Sequence, residues 1–383
     1  MEVTMFPMGF GESILLHQGD SCLLVDCGSE SGRRKGCFNA VKDKLEQFNK
    51  KSLLITHFHS DHINGIKYLG DKFLADFEHI YLPHIFTLED KTLELLIAEY
   101  LLEAFLDRRR KSSQIWGCLI PVAKTHLPIV LVSQGTQFEE ADYSFRALWP
   151  IPHSPEPTNL WQNVKETLQY LQLPYDKIEK LACDTKDVVL WLIGYNDLQS
   201  KHTNAEKELQ DILKEFHNLC DNYITSMQGS GGVAIRKECI WKSYQDIKNK
   251  NETSIVFRTA DDCERQILMT GDVTRATMKE IVERDVAIVL PQRKRYDVVK
   301  APHHGTQSCY FDFSQYYDVD ALYISNGETT WSEIRRGKIS GDYFLRAQAK
   351  EIRCSNTPQY RCEFAYDNGL CAACCEECMI NDC

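Results

Sequence analysis

The stretch Leu53-Leu54-Ile55-Thr56-His57-Phe58-His59-Ser60-Asp61-His62-Ile63-Asn64-Gly65 decides how this chain is read. Its first half, from Ser52 to Thr56, is a continuous apolar run, the pattern of a strand buried on both faces. Its second half sets His57, His59, Asp61 and His62 close together on a polar loop. His57 and His59 are two apart, so in extended backbone they point to the same side. Asp61 and His62 follow at the turn into a helix and address a second point in space. Two imidazoles at one point and a carboxylate with an imidazole at its neighbour suit borderline divalent ions such as zinc. A polar loop whose histidines only cap a helix would not need this spacing directly after a buried strand.

Outward from that loop the pattern alternates between short strands and helices. Ser13–His17 and Cys22–Asp26 are apolar runs separated by Gly19-Asp20, and read as strands. Phe38, Val41, Leu45 and Phe48 recur at helical spacing over residues 37–50. Residues 80–82 read as a strand, 88–111 as a long helix, and the regions around 129–133 and 144–149 as strands. A proline-rich breaker runs from Trp149 to Pro157. Residues 160–245 are largely helical and polar. Ser254–Thr259 and Gln266–Thr270 then form a strand pair, followed by a helix over Thr274–Arg284 and strands at Asp297–Lys300 and Ala321–Ser325. Strands in both halves with helices between them predict a layered α/β/β/α protein, with 160–245 inserted between the two sheets.

The His-x-His-x-Asp-His pattern after an apolar strand resembles the signature of the metallo-β-lactamase fold. Other stretches agree in the same order. Asp26-Cys27-Gly28 is similar to the fold's early Asp-x-Gly element, and Leu268-Met269-Thr270-Gly271-Asp272 to its Thr-Gly-Asp element. Lys300-Ala301-Pro302-His303-His304-Gly305-Thr306 is similar to the late histidine element, in a form that resembles the hydrolase domain of ComEC, the bacterial DNA-uptake channel protein. Leu148-Trp149-Pro150 and Ile324-Ser325-Asn326-Gly327 fit that subgroup too.

The resemblance covers residues 1 to about 330 and implies an αββα sandwich with a helical insertion. It places the hydrolase domain at 1–335 and leaves 336–383 as a C-terminal extension. It also implies two divalent ions, zinc first and manganese as an alternative. The implied ligands are His57, His59, Asp61, His62, Asp272 and His303, with Asp272 bridging both ions. Asp61 would also steer the nucleophile. For the adjacent pair His303 and His304, neighbours on an extended segment point to opposite sides, so one is expected to be the ligand. The analogy selects His303 and leaves His304 as proton donor to the leaving group. One family histidine, expected in a Gly-His-Thr context before the Thr-Gly-Asp strand, is absent from Lys248–Ser254. Asn251, His84 and His153 are the alternatives for its place.

Function follows as a metal-dependent hydrolase, with a phosphodiesterase or nuclease first. The alternatives are a lactonase- or lactamase-like hydrolase of carbon–oxygen or amide bonds, and a catalytically weak scaffold of the same fold. The net charge of −11 opposes non-specific nucleic-acid binding, but does not exclude a small anionic substrate at a cationic centre. The expected partner is therefore nucleic acid or a small phosphodiester, with room for a partner protein. No apolar run reaches the roughly 18 residues of a membrane span, and no signal peptide is apparent, so the expected location is the cytoplasm.

Cys362, Cys371, Cys374, Cys375, Cys378 and Cys383 crowd the C-terminal end. Cys371-x2-Cys374 and Cys375-x2-Cys378 have the spacing of a structural zinc site, but lack the usual loop between the two pairs. A reduced, redox-active tail and an iron–sulfur site are the other readings.

Overall fold

The computed structural model describes residues 1–29, 35–85, 116–125, 127, 129–151, 160–170, 173–192, 204–226, 239, 250–288, 294–325 and 349–355. The chain divides into two compact units. One is drawn from Met1–Pro83, Leu131–Pro152 and the chain from Asn251 on; the other from His84–Val130 and His153–Lys250.

The first unit contains two mixed sheets. The six strands of one run in the order β1 (Glu2–Met5), β2 (Ile14–Gln18), β3 (Ser21–Val25), β4 (Lys50–Leu54), β5 (His79–Pro83) and β6 (Ile129–Val132). Its β1-β2-β3 part is antiparallel, and β3, β4 and β5 are parallel. The parallel step from β3 to β4 uses α1 (Lys35–Leu45) as its crossover, which buries Phe38, Val41 and Leu45 at helical spacing. Three short helices, α2 (Ser60–Ile63), α3 (Ile66–Leu69) and α4 (Asp71–Leu74), lead from β4 to β5.

The second sheet has seven strands. They are, in chain order, β7 (Gln137–Glu140), β8 (Tyr143–Trp149), β9 (Val256–Thr259), β10 (Ile267–Met269), β11 (Lys294–Lys300), β12 (Tyr317–Ile324) and β13 (Glu351–Cys354), and they lie side by side in that same order. From β10 to β13 the pairing is parallel. The helix following β10, α9 (Arg275–Ile288), packs Met278, Ile281 and Val282 into a core with Leu268, Val299, Leu322 and Ile324. The two sheets meet through aromatic rings: Tyr81 of β5 lies 4.8 Å from Phe138 of β7, whose ring is 5.2 Å from Phe145 and 5.7 Å from Phe257. Tyr81 also donates a hydrogen bond to Glu140 across the same join. Two mixed sheets with helices beside them are the sandwich of the metallo-β-lactamase fold.

Two elements depart from the expectation. β7 is too short and too polar, Gln-Phe-Glu-Glu, to stand out as a strand before pairing is known. β13 extends the sheet beyond the domain boundary expected at 335, because it pairs with β12 from Ala321↔Glu351 to Ile324↔Cys354. The long helix expected at 88–111 lies outside the described residues, as do the cysteine-rich tail and His153.

In the second unit, the described helices are α5 (Trp116–Thr125), α6 (Leu160–Tyr170), α7 (Tyr175–Leu192) and α8 (Ala205–Ser226). α8 buries Leu209, Leu213 and Phe216, one stripe of an amphipathic helix. α7 buries Ile178, Leu181, Val188 and Val189, and packs on α8. No described helix is long and apolar enough to cross a membrane.

Phe257 is fully buried at the join of the two sheets, so Phe257→Ala should cost about 3–5 kcal/mol from lost burial and cavity formation. Urea unfolding would show this as a lower midpoint with an unchanged slope; a loss below about 1 kcal/mol would mean that the ring is not a central support.

Candidate metal centre

The His57–His62 loop leaves β4 at the point where the two sheets approach each other. Ile255 N donates to Thr56 O, tying the residue before His57 to the start of β9. The loop backbone is held from the other side by the turn after β3, where Cys27 N donates to His62 O (2.8 Å) and Gly65 N to Cys27 O (2.8 Å), and by the segment before β2, where Glu12 N donates to Asp61 O (3.0 Å). This approach is so close that a Cβ on Gly28 would lie 1.8 Å from Asp61 O. The glycine of the Asp-x-Gly element is therefore required by backbone contact with the metal motif itself.

Asp26 is fully buried, with φ 60°, and its carboxylate accepts three hydrogen bonds. The donors are Thr56 N, Thr56 Oγ1 and His62 Nδ1, all at 2.7 Å. These bonds settle ring orientations. His62 uses Nδ1–H on Asp26, so Nε2 points at Asp272 Oδ2, 3.1 Å away. Thr56 Oγ1 spends its proton on Asp26 and accepts from His57 Nδ1 (3.1 Å), so His57 Nε2 is left as an acceptor. His304 Nδ1 lies 3.1 Å from the carbonyl of Ser325, which can only accept, so its Nε2 is also the free nitrogen. In each case a second partner turns one imidazole nitrogen inward, as metal-binding histidines require.

The inward atoms form two groups, His57–His59–Asp272 and Asp61–His62–His304. Within each group the donor atoms lie within 4.8 Å of one another. A third group, Glu12–Asp26–His62, lies behind His62 and is already satisfied by internal hydrogen bonds. Asp272 Oδ2 stands between the first two, 3.1 Å from His62 Nε2, 3.3 Å from His304 Nε2 and 3.8 Å from His57 Nε2. His57 Nε2 and His59 Nδ1 face each other at 2.9 Å. Nitrogens sharing a tetrahedral zinc sit roughly 3.3 Å apart, so these spacings fit an ion with small adjustments. The clearest sign is His304 Nε2, which is fully buried and makes no directed hydrogen bond, although Asp61 and Asp272 oxygens each lie 3.3 Å away. A cation between these three groups resolves that arrangement, and the residues present fit divalent metal ions.

The structure sets the two adjacent histidines in different surroundings. His304, expected as proton donor, lies within the second metal-competent group, while His303, expected as ligand, does not. His303 Nδ1 faces Cys309 Sγ (3.2 Å) and Thr306 Oγ1 (3.0 Å), its Nε2 is 3.9 Å from Asp272, and a quarter of its side chain is exposed. The physical reason lies in the backbone. The segment is not extended: His303 and His304 both have positive φ, 48° and 55°, so alternation of faces does not apply. Of the residues considered for the missing histidine, His84 joins none of the described groups. Asn251 is buried, its Oδ1 has no partner, and its 3-10 turn adjoins the site through Ser254, whose Oγ accepts from Asp272 N (3.0 Å). Glu12, Lys300 and Ser325 also reach the site and were not singled out as functional from the sequence. Lys300 carried one signal, a charge ending the buried run Val298-Val299.

Electrostatically, the carboxylates and the imidazoles of the site shift one another's protonation strongly. Burial and the neighbouring imidazoles of His62 and His59 hold the His57 pKa well below its ordinary value. Burial would lower His62 and His304 as well, but carboxylates outweigh it. Asp272 and Asp26 raise His62, and Asp272 with Asp61 raises His304 to about 9. Burial opposes ionisation of Asp272, yet His304, His62 and Lys300 hold its pKa well below the carboxylate range.

No curated protein matches the chain. A family model described as anti-Pycsar protein Apyc1 matches residues 6–139, which include Asp26 and the His57–His62 loop and end before Asp272. Among solved structures, a metallo-β-lactamase family protein from Thermus thermophilus aligns at 17% identity and a TM-score of 0.25, covering 38% of this chain and 51% of that one. The chain thus spans about half the length of that relative.

Because metal ions must displace the protons on His62 and His304, metal binding should release protons and tighten as pH rises towards 9. Calorimetric titration in buffers of different ionisation enthalpy would show it; a binding enthalpy independent of buffer would contradict the assignment. Asp26→Asn, which weakens the hold on His62 and Thr56, should lower metal affinity by about 10–100-fold.

Proposed function

We propose that this chain is a phosphodiester hydrolase that holds one divalent ion with His57 and His59 and a second with Asp61, His62 and His304. Asp272 lies between the two. The observation that carries the proposal is the convergence of buried imidazole nitrogens on one carboxylate oxygen, Asp272 Oδ2. Bound there, the ions would supply Lewis acidity and a water nucleophile at neutral pH. Zinc suits the imidazole-rich first group, and the carboxylate in the second leaves manganese as an alternative.

The chain's own residues take complementary roles. Asp61, a quarter exposed, has a pKa lowered to about 2; burial opposes this, but His304, with its Nε2 3.3 Å away, and the charge of His62 outweigh it. It stays ionised to orient the nucleophile. His303, a quarter exposed with its Nδ1 engaged by Thr306 and Cys309, stands outside both ion groups and would take the donor role.

A small nucleotide phosphodiester is favoured over long nucleic acid. A chain of net charge −11 gains little from backbone neutralisation, whereas a compact anion is bound by the local cationic centre. The ComEC-like late histidine element points to phosphodiester chemistry. The anti-Pycsar family match favours a substrate of the cyclic-nucleotide type.

Turnover of bis-p-nitrophenyl phosphate and of a panel of cyclic nucleotides, with added zinc or manganese, tests the reading. Asp61→Ala/His62→Ala should abolish metal-dependent turnover. His304→Ala should lose an ion, while His303→Ala should keep both ions and lose about 10²–10⁴-fold in rate, the usual contribution of a general acid. Two bound ions without phosphodiester turnover would move the assignment to carbon–oxygen or amide hydrolysis, and a chain that binds no ion would be a scaffold.

A further inference from the structure

Behind the site lies a buried ion pair that the mechanism above does not use. Lys300 ends β11 with its side chain completely inaccessible. Its ammonium donates to Glu12 Oε2 (2.6 Å), Asp272 Oδ1 (3.2 Å) and Gly271 O (2.9 Å). All three donor positions of the amine are therefore spent. Glu12 Oε2 also accepts from Ser325 Oγ (2.8 Å). Ser325 in turn meets His304 Nδ1 with both its Oγ and its carbonyl, each at 3.1 Å. One connected chain, Asp272–Lys300–Glu12–Ser325–His304, joins two residues of the metal centre by the atoms that face away from it.

We infer that Lys300 and Glu12 act together as a clamp that positions Asp272 and His304 for metal binding. This rests on the metal-centre reading above. Lys300 engages Oδ1 of Asp272, so that only Oδ2 faces the imidazoles. Ser325 fixes the His304 tautomer with Nε2 inward. Lys300 alone would set a full positive charge beside two dications. Glu12, at 2.6 Å, cancels that charge, so the clamp orients the ligands without repelling the ions. Lys300 and Glu12 are positioning residues, since neither faces the place of an ion.

Charge and position separate in a double variant. Lys300→Met leaves the Glu12 carboxylate buried without its counter-ion, and Glu12→Gln leaves the buried ammonium with Asp272 as its one carboxylate partner; each should weaken both folding and metal binding. Lys300→Met/Glu12→Gln restores neutrality, and its metal-free form should unfold near the wild-type temperature. If the pair is a clamp, zinc affinity of that double variant, read by chelator competition, should remain about 10–100-fold below wild type. The visible spectrum of bound cobalt(II) should change with the altered ligand geometry. Wild-type affinity and an unchanged cobalt spectrum in the stable double variant would overturn the proposal and reduce the pair to a structural ion pair. Should the double variant not fold, Ser325→Ala removes one link of the clamp with a minimal change of volume. It should show the same direction of loss, and wild-type zinc affinity there would overturn the His304 limb. A wild-type chain that binds no zinc would instead overturn the metal-centre reading itself.

Discussion

Asp272 is the point on which the rest of the structure depends. Its carboxylate is buried and ionised, and a lone buried charge of that kind costs several kcal/mol. The surroundings answer oxygen by oxygen: Oδ1 meets Lys300, while Oδ2 meets the inward nitrogens of His57, His62 and His304. Each of these partners is fixed in turn by a group one layer further out, namely Thr56, Asp26 and Ser325 for the imidazoles and Glu12 for the amine. The polar interior is therefore one connected assembly, and its members are drawn from both sheets.

The sandwich makes this assembly possible by bringing strand ends together. β3 and β4 deliver Asp26 and the His57–His62 loop from one sheet; β10, β11 and β12 deliver Asp272, Lys300 with His304, and Ser325 from the other. The backbone is strained where these ends converge. Asp26, His303 and His304 all have positive φ, a conformation that costs non-glycine residues of order 1–3 kcal/mol each. The convergence of hydrogen bonds on Asp26 and His304 holds two of them in place, as expected where geometry serves chemistry rather than stability. The aromatic join of Tyr81, Phe138, Phe145 and Phe257 supplies the apolar burial that supports such a polar centre.

Much of this was legible in the sequence because it is local. The apolar run Leu53–Ile55 and the two-residue spacing of His57 and His59 follow from strand geometry alone. Asp61 and His62 at the helix start, and Asp272 after a glycine turn, are likewise short-range patterns. The order of these elements along the chain, with apolar strands before each, is enough to imply two sheets and a centre between them. The net charge and the residue types of the motif bear on substrate and metal without any coordinates.

Tertiary structure alone decided which atoms of those residues meet. The different surroundings of His303 and His304 arise from two successive left-handed residues, which no side-chain pattern announces. The partnership of Glu12 with Lys300 and Ser325 links residues from opposite ends of the chain, and a lone glutamate in a Gly-Glu-Ser turn has no periodicity to mark it. The pairing of β13 with β12 depends on an available sheet edge rather than on the modest apolar content of Glu-Ile-Arg-Cys. Local spacing determines what a segment is and which chemistry it carries. Long-range contact and backbone handedness determine which nitrogen or oxygen faces the centre, because those depend on parts of the chain that no local pattern can see.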